Sequence, residues 1–474
     1  MVFSSSLFIL YFLPAALIAY YLVDKKYKNL VIVAFSIFFY AWGAPKYLFM
    51  VLAAMVMDFF FANQIHKHQG KTKKYYLIAA LSVNLGLLLY FKYFNFFIDN
   101  ANEALSMFGF QQHQFLKVAL PIGISFFTFH EMSFLIDVYR NVKKPLKSIT
   151  DYALYILFFP QLIAGPIIRF NEIADQIENR GNNENIDNRL TGFFRFVIGL
   201  SKKVLIANVL GKEADIIFSM QPGDLTTYTA WIGIIAYTFQ IYFDFSGYSD
   251  MAIGMAKMMG FIFPENFNNP YISRNITELW RRWHMTLSRW MRDYLYFSLG
   301  GNRVNSKARL YFNLALVFII SGFWHGAAWN FVIWGAFHGF FLILDRIFLI
   351  KILDKIGKWP SIAFTFILTM IGWVFFRSET LGYALRFLKK MFFVKLDGIS
   401  LHFSYEFWTF LIIALLISFS TAFKFGRFLE STLYSNIFKI RGYIVMTIIC
   451  LVLFVISLSS ITSSGFNPFI YYRF

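Results

Sequence analysis

The chain has 474 residues, of which 58% are hydrophobic, 21% aromatic and only 15% charged. Soluble domains carry about a quarter charged residues, so this composition excludes a soluble globular fold and predicts a membrane protein. The formal charge of +18 (44 Lys and Arg against 26 Asp and Glu) sits in short loops between apolar runs, a positive-inside pattern that argues for a membrane with anionic lipid headgroups and against nucleic acid.

Apolar runs fall at 4–22, 29–42, 46–62, 75–97, 118–138, 193–210, 228–258, 308–324, 328–350, 360–376, 406–423 and 441–462. Many approach the roughly 20 residues that cross a bilayer as a helix. No strand-like alternation of apolar and polar residues occurs, which argues against a barrel. The first run has no basic residue before it, and Lys25, Lys26 and Lys28 follow it. A cleaved signal peptide has the opposite order, so this run reads as a retained helix with its N-terminus outside. The segment 152–168 carries Pro160, Gly165 and Pro166, and these helix breakers predict a re-entrant segment.

The basic loops at 25–28, 67–74, 140–147, 274–309, 351–358 and 424–441 fall on one side if the runs alternate across the membrane; the basic stretch 377–395 dissents. The expected fold is an all-α polytopic membrane domain over 1–474, with about eleven to twelve transmembrane helices and a core at 118–350. No internal repeat and no appended soluble domain is visible. The single cysteine, Cys450, lies in a late apolar run, which leaves no disulfide and no cysteine zinc site.

The stretch 270–299 reads as an interfacial amphipathic helix. Ile276, Leu279, Trp280, Trp283, Leu287, Trp290, Met291 and Tyr294 recur at helical spacing and form one apolar stripe. Glu278, Arg281, Arg282, Arg289 and Arg292 take the other face, and a cationic helix with a Trp-rich face lies in the membrane plane. Gly300-Gly301 ends the helix. His284 falls at the border of the two faces.

His325, in Ser321-Gly322-Phe323-Trp324-His325-Gly326, is the second histidine in apolar, Trp-rich surroundings. An unpaired imidazole there must find a partner or do chemistry. It is either a buried histidine bonded to a neighbouring carbonyl or a general base for a hydroxyl group. His284 either snorkels to the headgroups or completes a pair with His325, orienting an acyl donor or polarising its carbonyl. The nearby arginines either contact anionic lipid or grip a phosphate-bearing donor such as coenzyme A. Arg281, Arg282, Trp283, Trp324 and Asp250 are the candidate donor or substrate contacts. Asp244 and Asp250 lie within a membrane run, and pairing with arginines of the following helix is the favoured reading for them. His338, thirteen residues after His325, falls on roughly the opposite face if the helix is continuous, and is read as structural. His66, His68, His113 and His402 sit in or near loops. Nothing matches a metal motif, a phosphate-binding loop, a nucleotide-binding glycine turn or a nucleophile elbow.

The runs WRRWHMTLSRWMRDYLYFSLGGNR (280–303), SGFWHGAAWNFVIWGAFHG (321–339) and YFDFSGYSDMAIGMAKMMGF (242–261) resemble the membrane-bound O-acyltransferases, in their bacterial alginate O-acetylation branch. MVFSSSLFILYFLP at the start, LPIGISFFTFHEMSFLIDVYR (120–140) and FFPQLIAGPIIRF (158–170) resemble it too. The match weakens after about Arg377. The resemblance implies a multi-helix fold around a tunnel or funnel in a bacterial inner membrane. The family's invariant histidine falls on His325, and its second active-site position on His284. It implies acetyl-CoA as donor substrate, with no tightly bound cofactor or metal. It further implies an extracytoplasmic polysaccharide acceptor (alginate-like exopolysaccharide, cellulose or peptidoglycan) and a partner of the hydrolase-like SGNH type. D-alanyl transfer to teichoic acid is the near alternative. A glycolipid transporter or flippase using intramembrane Asp and His, or a membrane scaffold, are the alternatives from other classes; the absence of a repeat argues against the transporter.

Overall fold

The computed structural model describes residues 1–112, 115–162, 165–394, 398–399, 401–463 and 465–467; His113 and residues 163–164 and 395 of the segments named above lie outside them. Every regular element among the described residues is a helix. The chain divides into two compact units.

The first unit is Met1–Val2, Leu7–Glu184 and Met259–Phe263. Its helices are α1 (Phe8–Leu22), α2 (Lys28–Gly43), α3 (Leu48–Lys67), α4 (Gly70–Met107), α5 (Ile124–Tyr139), α6 (Ile149–Leu157) and α7 (Phe170–Glu178). Phe8, Phe12, Phe39 and Phe159 form an aromatic core with ring centroids 5.3 to 6.3 Å apart. Helix α6 starts at Ser148, whose side chain accepts from the Asp151 amide at 3.0 Å, and stops at Leu157, just ahead of Pro160. Proline lacks an amide donor and biases its predecessor away from helical angles, so the break falls where the prolines predict it.

The second unit is Phe3–Ser6, Asn185–Met258 and Pro264–Phe474. It contains α8 (Ile186–Ser201), α9 (Asn208–Ser219), α10 (Thr227–Met258), α11 (Ile276–Arg282), α12 (Met285–Trp290), α13 (Lys307–His325) and α14 (Trp329–Leu344). It continues through α15 (Ile350–Ile356), α16 (Lys358–Arg377), α17 (Leu381–Phe392), α18 (Tyr405–Ser420), α19 (Lys424–Leu433) and α20 (Ile440–Ser463). Helix α10 is 32 residues long and almost wholly buried. Helix α8 crosses it at two glycine pairs, Gly192 against Gly254 and Gly199 against Gly247; a Cβ on Gly192 would stand 2.7 Å from the Gly254 carbonyl oxygen. Small residues let the backbones touch, which is how helices pack in hydrocarbon.

Among the described residues, five helical stretches are long and apolar enough to cross a membrane: Pro45–Lys67, Gly70–Met107, Lys307–His325, Lys358–Arg377 and Ile440–Ser463. A sixth arises if α18 and α19, bent by 97°, form one span. The other apolar runs of the sequence are carried by shorter, broken or more polar helices, because helices packed inside protein need neither the length nor the apolar surface that lipid demands. On α20, Ile444, Val445, Ile448, Val452 and Val455 are exposed, a face suited to hydrocarbon rather than water.

Candidate active site

The two Trp-His motifs meet inside the second unit. His284 and His325 face each other with ring centroids 6.4 Å apart, and both are buried, at 1% and 8% exposure. Aromatic rings wall them in. Phe245 of α10 lies 4.6 Å from His284, and Trp324, Trp334 and Phe376 lie 4.9, 5.3 and 5.2 Å from His325.

His284 sits in a break, not on a continuous helix. The expected single amphipathic helix over 270–299 is interrupted between α11 and α12, where His284 adopts a left-handed conformation at φ 43°, ψ 52°. The cause is the extended stretch beside it. Asn268 N donates to the Arg282 carbonyl at 2.9 Å, and Met285 N donates to the Asn266 carbonyl at 2.9 Å. The Asn266 side chain accepts from the Thr286 hydroxyl at 2.9 Å and the Thr286 amide at 3.3 Å, and donates to Ser249 of α10 at 2.9 Å. These bonds satisfy the groups that the helix break frees, and they hold a non-glycine residue where it is strained. The stretch ends as expected at Gly300, with φ 97°. Its apolar stripe is covered by protein: Trp280 packs on Phe318 and Trp334, and Trp283 on Trp373 and Phe267.

The start of α11 is anchored twice. Asn275 caps it by accepting from Glu278 N at 2.7 Å, and Asp345 accepts from the Thr277 amide and hydroxyl at 2.8 and 2.9 Å, a carboxylate placed on the positive end of the helix.

His325 is the last residue of α13. Helices α13 and α14 form a tight hairpin in which Gly322 and Gly335 stand face to face, leaving no room for a side chain at either. Asn330, at the start of α14, donates to the Phe375 and Ser378 carbonyls at 3.2 and 2.7 Å, which fastens the hairpin to the end of α16. The chain reverses at Gly326–Ala328, so the continuous helix that would have put His338 on the far face from His325 is not formed. His338 comes back against Trp280 and Trp334, at 5.0 Å from each. Sequence reasoning read His338 as structural but missed its place beside the pair, as the third buried histidine of the second unit; its Trp-Gly-Ala-Phe-His-Gly run echoes the Phe-Trp-His-Gly around His325, and that was the available signal.

The remaining candidates separate. Trp324 and Trp283 belong to the aromatic walls. Arg281 is exposed, and Arg282 is paired with Glu278 at 2.9 Å while donating to the Asn268 carbonyl at 3.1 Å. Asp250 stands in an ionic cluster, with Arg195 at 2.8 Å, Lys202 at 2.7 Å and the Tyr434 hydroxyl at 3.1 Å. Asp244 pairs with Lys203 at 2.8 Å. Both carboxylates are paired as expected, but with cations of α8 and the turn that follows it, not with arginines of the following helix. Those cations precede α10 in sequence and reach it because the glycine crossing brings α8 against α10.

Neither ring nitrogen of His284 has a hydrogen-bond partner. His284 lies outside the five membrane-length stretches, and burial pushes its imidazole down to about 3, so the ring is neutral near pH 7, with one donor and one acceptor nitrogen. At a centroid separation of 6.4 Å the nearest ring nitrogens of the pair are about 4 Å apart or more, beyond direct hydrogen bonding. Two imidazoles this close together, inside aromatic walls, suit proton removal from a hydroxyl and polarisation of a carbonyl.

Known proteins similar to this chain include acyl-transferring enzymes. A probable alginate O-acetylase of Pseudomonas aeruginosa is 45% identical over 394 residues, 83% of this chain and 75% of its own. A peptidoglycan O-acetyltransferase of Helicobacter pylori is 40% identical over 444 residues, 86% of this chain and 82% of its own. A teichoic acid D-alanyltransferase of Bacillus subtilis is 31% identical over 265 residues, 53% of this chain and 65% of its own. The model of the membrane-bound O-acyltransferase family matches residues 8–378, and so the chain, a multi-pass membrane acyltransferase, belongs to that family.

Proposed function

We propose that the protein is an O-acetyltransferase of the bacterial inner membrane. It moves acetyl from cytoplasmic acetyl-CoA toward hydroxyls of an extracytoplasmic polysaccharide, with delivery to the glycan through an SGNH-type partner. The observation that carries the site assignment is the pair of buried imidazoles with ring centroids 6.4 Å apart inside aromatic walls. His325 is the general base and His284 its partner. His325 takes the proton of the attacking hydroxyl, and the oxygen bonds to the thioester carbonyl carbon. His284 donates a hydrogen bond to the carbonyl oxygen as negative charge gathers there. The carbon–sulfur bond then breaks, and the proton leaves with the thiolate as coenzyme A thiol. Aromatic walls keep water from the thioester. The long matches to O-acetylating relatives, against a match of about half the chain to the D-alanyltransferase, favour acetyl over D-alanyl.

The test follows label from acetyl-labelled acetyl-CoA into envelope glycan, using protein in nanodiscs with and without candidate partners. His325→Ala and His284→Ala are each expected to lower transfer by about 100-fold or more, the usual scale for acid–base groups. Equal transfer in wild type and His325→Ala would remove the histidine assignment. Transfer only from a D-alanyl carrier thioester would replace the donor.

A further inference from the structure

His338 is fully buried, and neither of its ring nitrogens has a hydrogen-bond partner. The same holds for the indole nitrogens of the two tryptophans it touches, Trp280 and Trp334. The three rings meet edge to face: His338 to Trp280 at 5.0 Å and 86°, His338 to Trp334 at 5.0 Å and 74°, and Trp280 to Trp334 at 5.4 Å and 83°. Trp334 is also edge-on to His325, at 5.3 Å and 87°, and Trp280 belongs to α11, the helix that leads into the break at His284. His338 therefore braces the walls of both histidines at once. Gly372 of α16 makes room for it; a Cβ there would stand 2.8 Å from His338 Nε2.

A residue that only filled this space would be aliphatic, because buried polar atoms are nearly always hydrogen-bonded. An imidazole brings something an aliphatic group lacks. Its polar edge is attracted to the negative faces of indole rings, which makes the contact directional. We propose that His338 is a positioning residue for acyl transfer: through edge-to-face contacts it fixes the orientation of Trp280 and Trp334, and through them the facing of His284 and His325. This inference rests on the acyl-transfer reading of that pair.

The test compares three variants of the full-length protein in nanodiscs, assayed for acetyl transfer alongside wild type and His325→Ala. His338→Leu keeps a similar volume without the nitrogens. His338→Gln restores an N–H on that side. Gly372→Ala pushes the ring without altering its chemistry. The expected result is a fall in kcat of about tenfold or more for His338→Leu and Gly372→Ala, with the donor KM within about twofold, and recovery of most of the rate in His338→Gln. A kcat for His338→Leu within about twofold of wild type overturns the proposal. So does an equal loss in His338→Leu and His338→Gln with Tm lowered in both, which is the signature of packing alone. Should His338→Leu fail to fold, a wild-type kcat in Gly372→Ala overturns it. If His325→Ala keeps wild-type turnover, the acyl-transfer reading itself falls, whatever the His338 variants do.

Discussion

Two buried polar clusters of the second unit stand in contrast. Asp250 has both carboxylate oxygens answered, by Arg195 on one and by Lys202 and Tyr434 on the other. His284, equally buried, has neither nitrogen answered. Burying a charge is costly unless it is paired, so the first cluster is a finished structural joint between α8, α10 and the segment after α19. In the second, His284 leaves both ring nitrogens unanswered inside an apolar wall, as expected of the proposed site, where a substrate would answer them. Burial alone does not separate the two; the aromatic walls and the second imidazole beside His284 do.

Activity and stability should therefore part company between them. His284→Ala is expected to lose about 100-fold or more in turnover while keeping its Tm within a few degrees. Asp250→Ala strands two cations in the interior and is expected to cost about 3–5 kcal/mol of stability, read as a large drop in Tm and yield, with turnover per folded molecule close to wild type. A folded Asp250→Ala protein that is inactive would place Asp250 in the acetyl-transfer machinery after all.

Asn266 links the two clusters in kind, since all its bonds are structural yet they define the turn at His284. Asn266→Ala removes the side-chain acceptor for Thr286 and the bond to Ser249. The expected outcome is a 10- to 100-fold loss of kcat, about what a shift of 1 Å in a reacting group costs, with little change in donor KM. Loss of stability without loss of kcat would mean that the left-handed turn is held by the backbone pairing alone.

The first unit offers a control. Asp58 faces the Asn84 amide at 3.0 Å to both oxygens, and Glu131 Oε1 has no hydrogen-bond partner. No ion pair is formed by either among the described residues. If an unanswered polar atom were by itself the mark of a reacting group, Glu131 would qualify. What it lacks is the pairing of two imidazoles inside aromatic walls. Glu131→Gln is accordingly expected to leave acetyl transfer within about twofold of wild type, a smaller effect than any above, because an amide keeps the shape of the carboxyl.

Much of this was legible in the residues. The two Trp-His runs, the helix breakers at Pro160 and Pro166, and the glycine stop at Gly300 are local signals, and the structure follows them. What escaped was tertiary. The 3.6-residue stripe through Trp280, Trp283 and Leu287 continues in register across 283–284, so periodicity gave no warning of the break; the cause is Asn266, far enough away in sequence to lie outside any helical window. The aromatic stripe looked suited to lipid because sequence cannot say whether protein or membrane covers an apolar face. The place of His338 turned on whether a helix runs through Gly326-Ala327-Ala328, which it does not, and the cations that answer Asp250 lie some fifty residues upstream, where only the packing of α8 on α10 reveals them.

The smallest expected effect concerns pH. The His284 imidazole is held down to about 3 by burial, against about 6.5 in an unfolded chain. Between those values the unfolded chain binds a proton that the folded protein refuses. Stability from this residue is thus fully present above about 6.5 and is lost progressively as the pH falls toward 3. In nanodiscs, the Tm of the wild-type protein should decline from pH 7 to pH 5, and His284→Gln, which cannot titrate, should decline less steeply over the same range. Identical slopes would mean that His284 takes up its proton without unfolding, and then the neutral ring assigned to it in acetyl transfer would have to be charged during part of the working pH range.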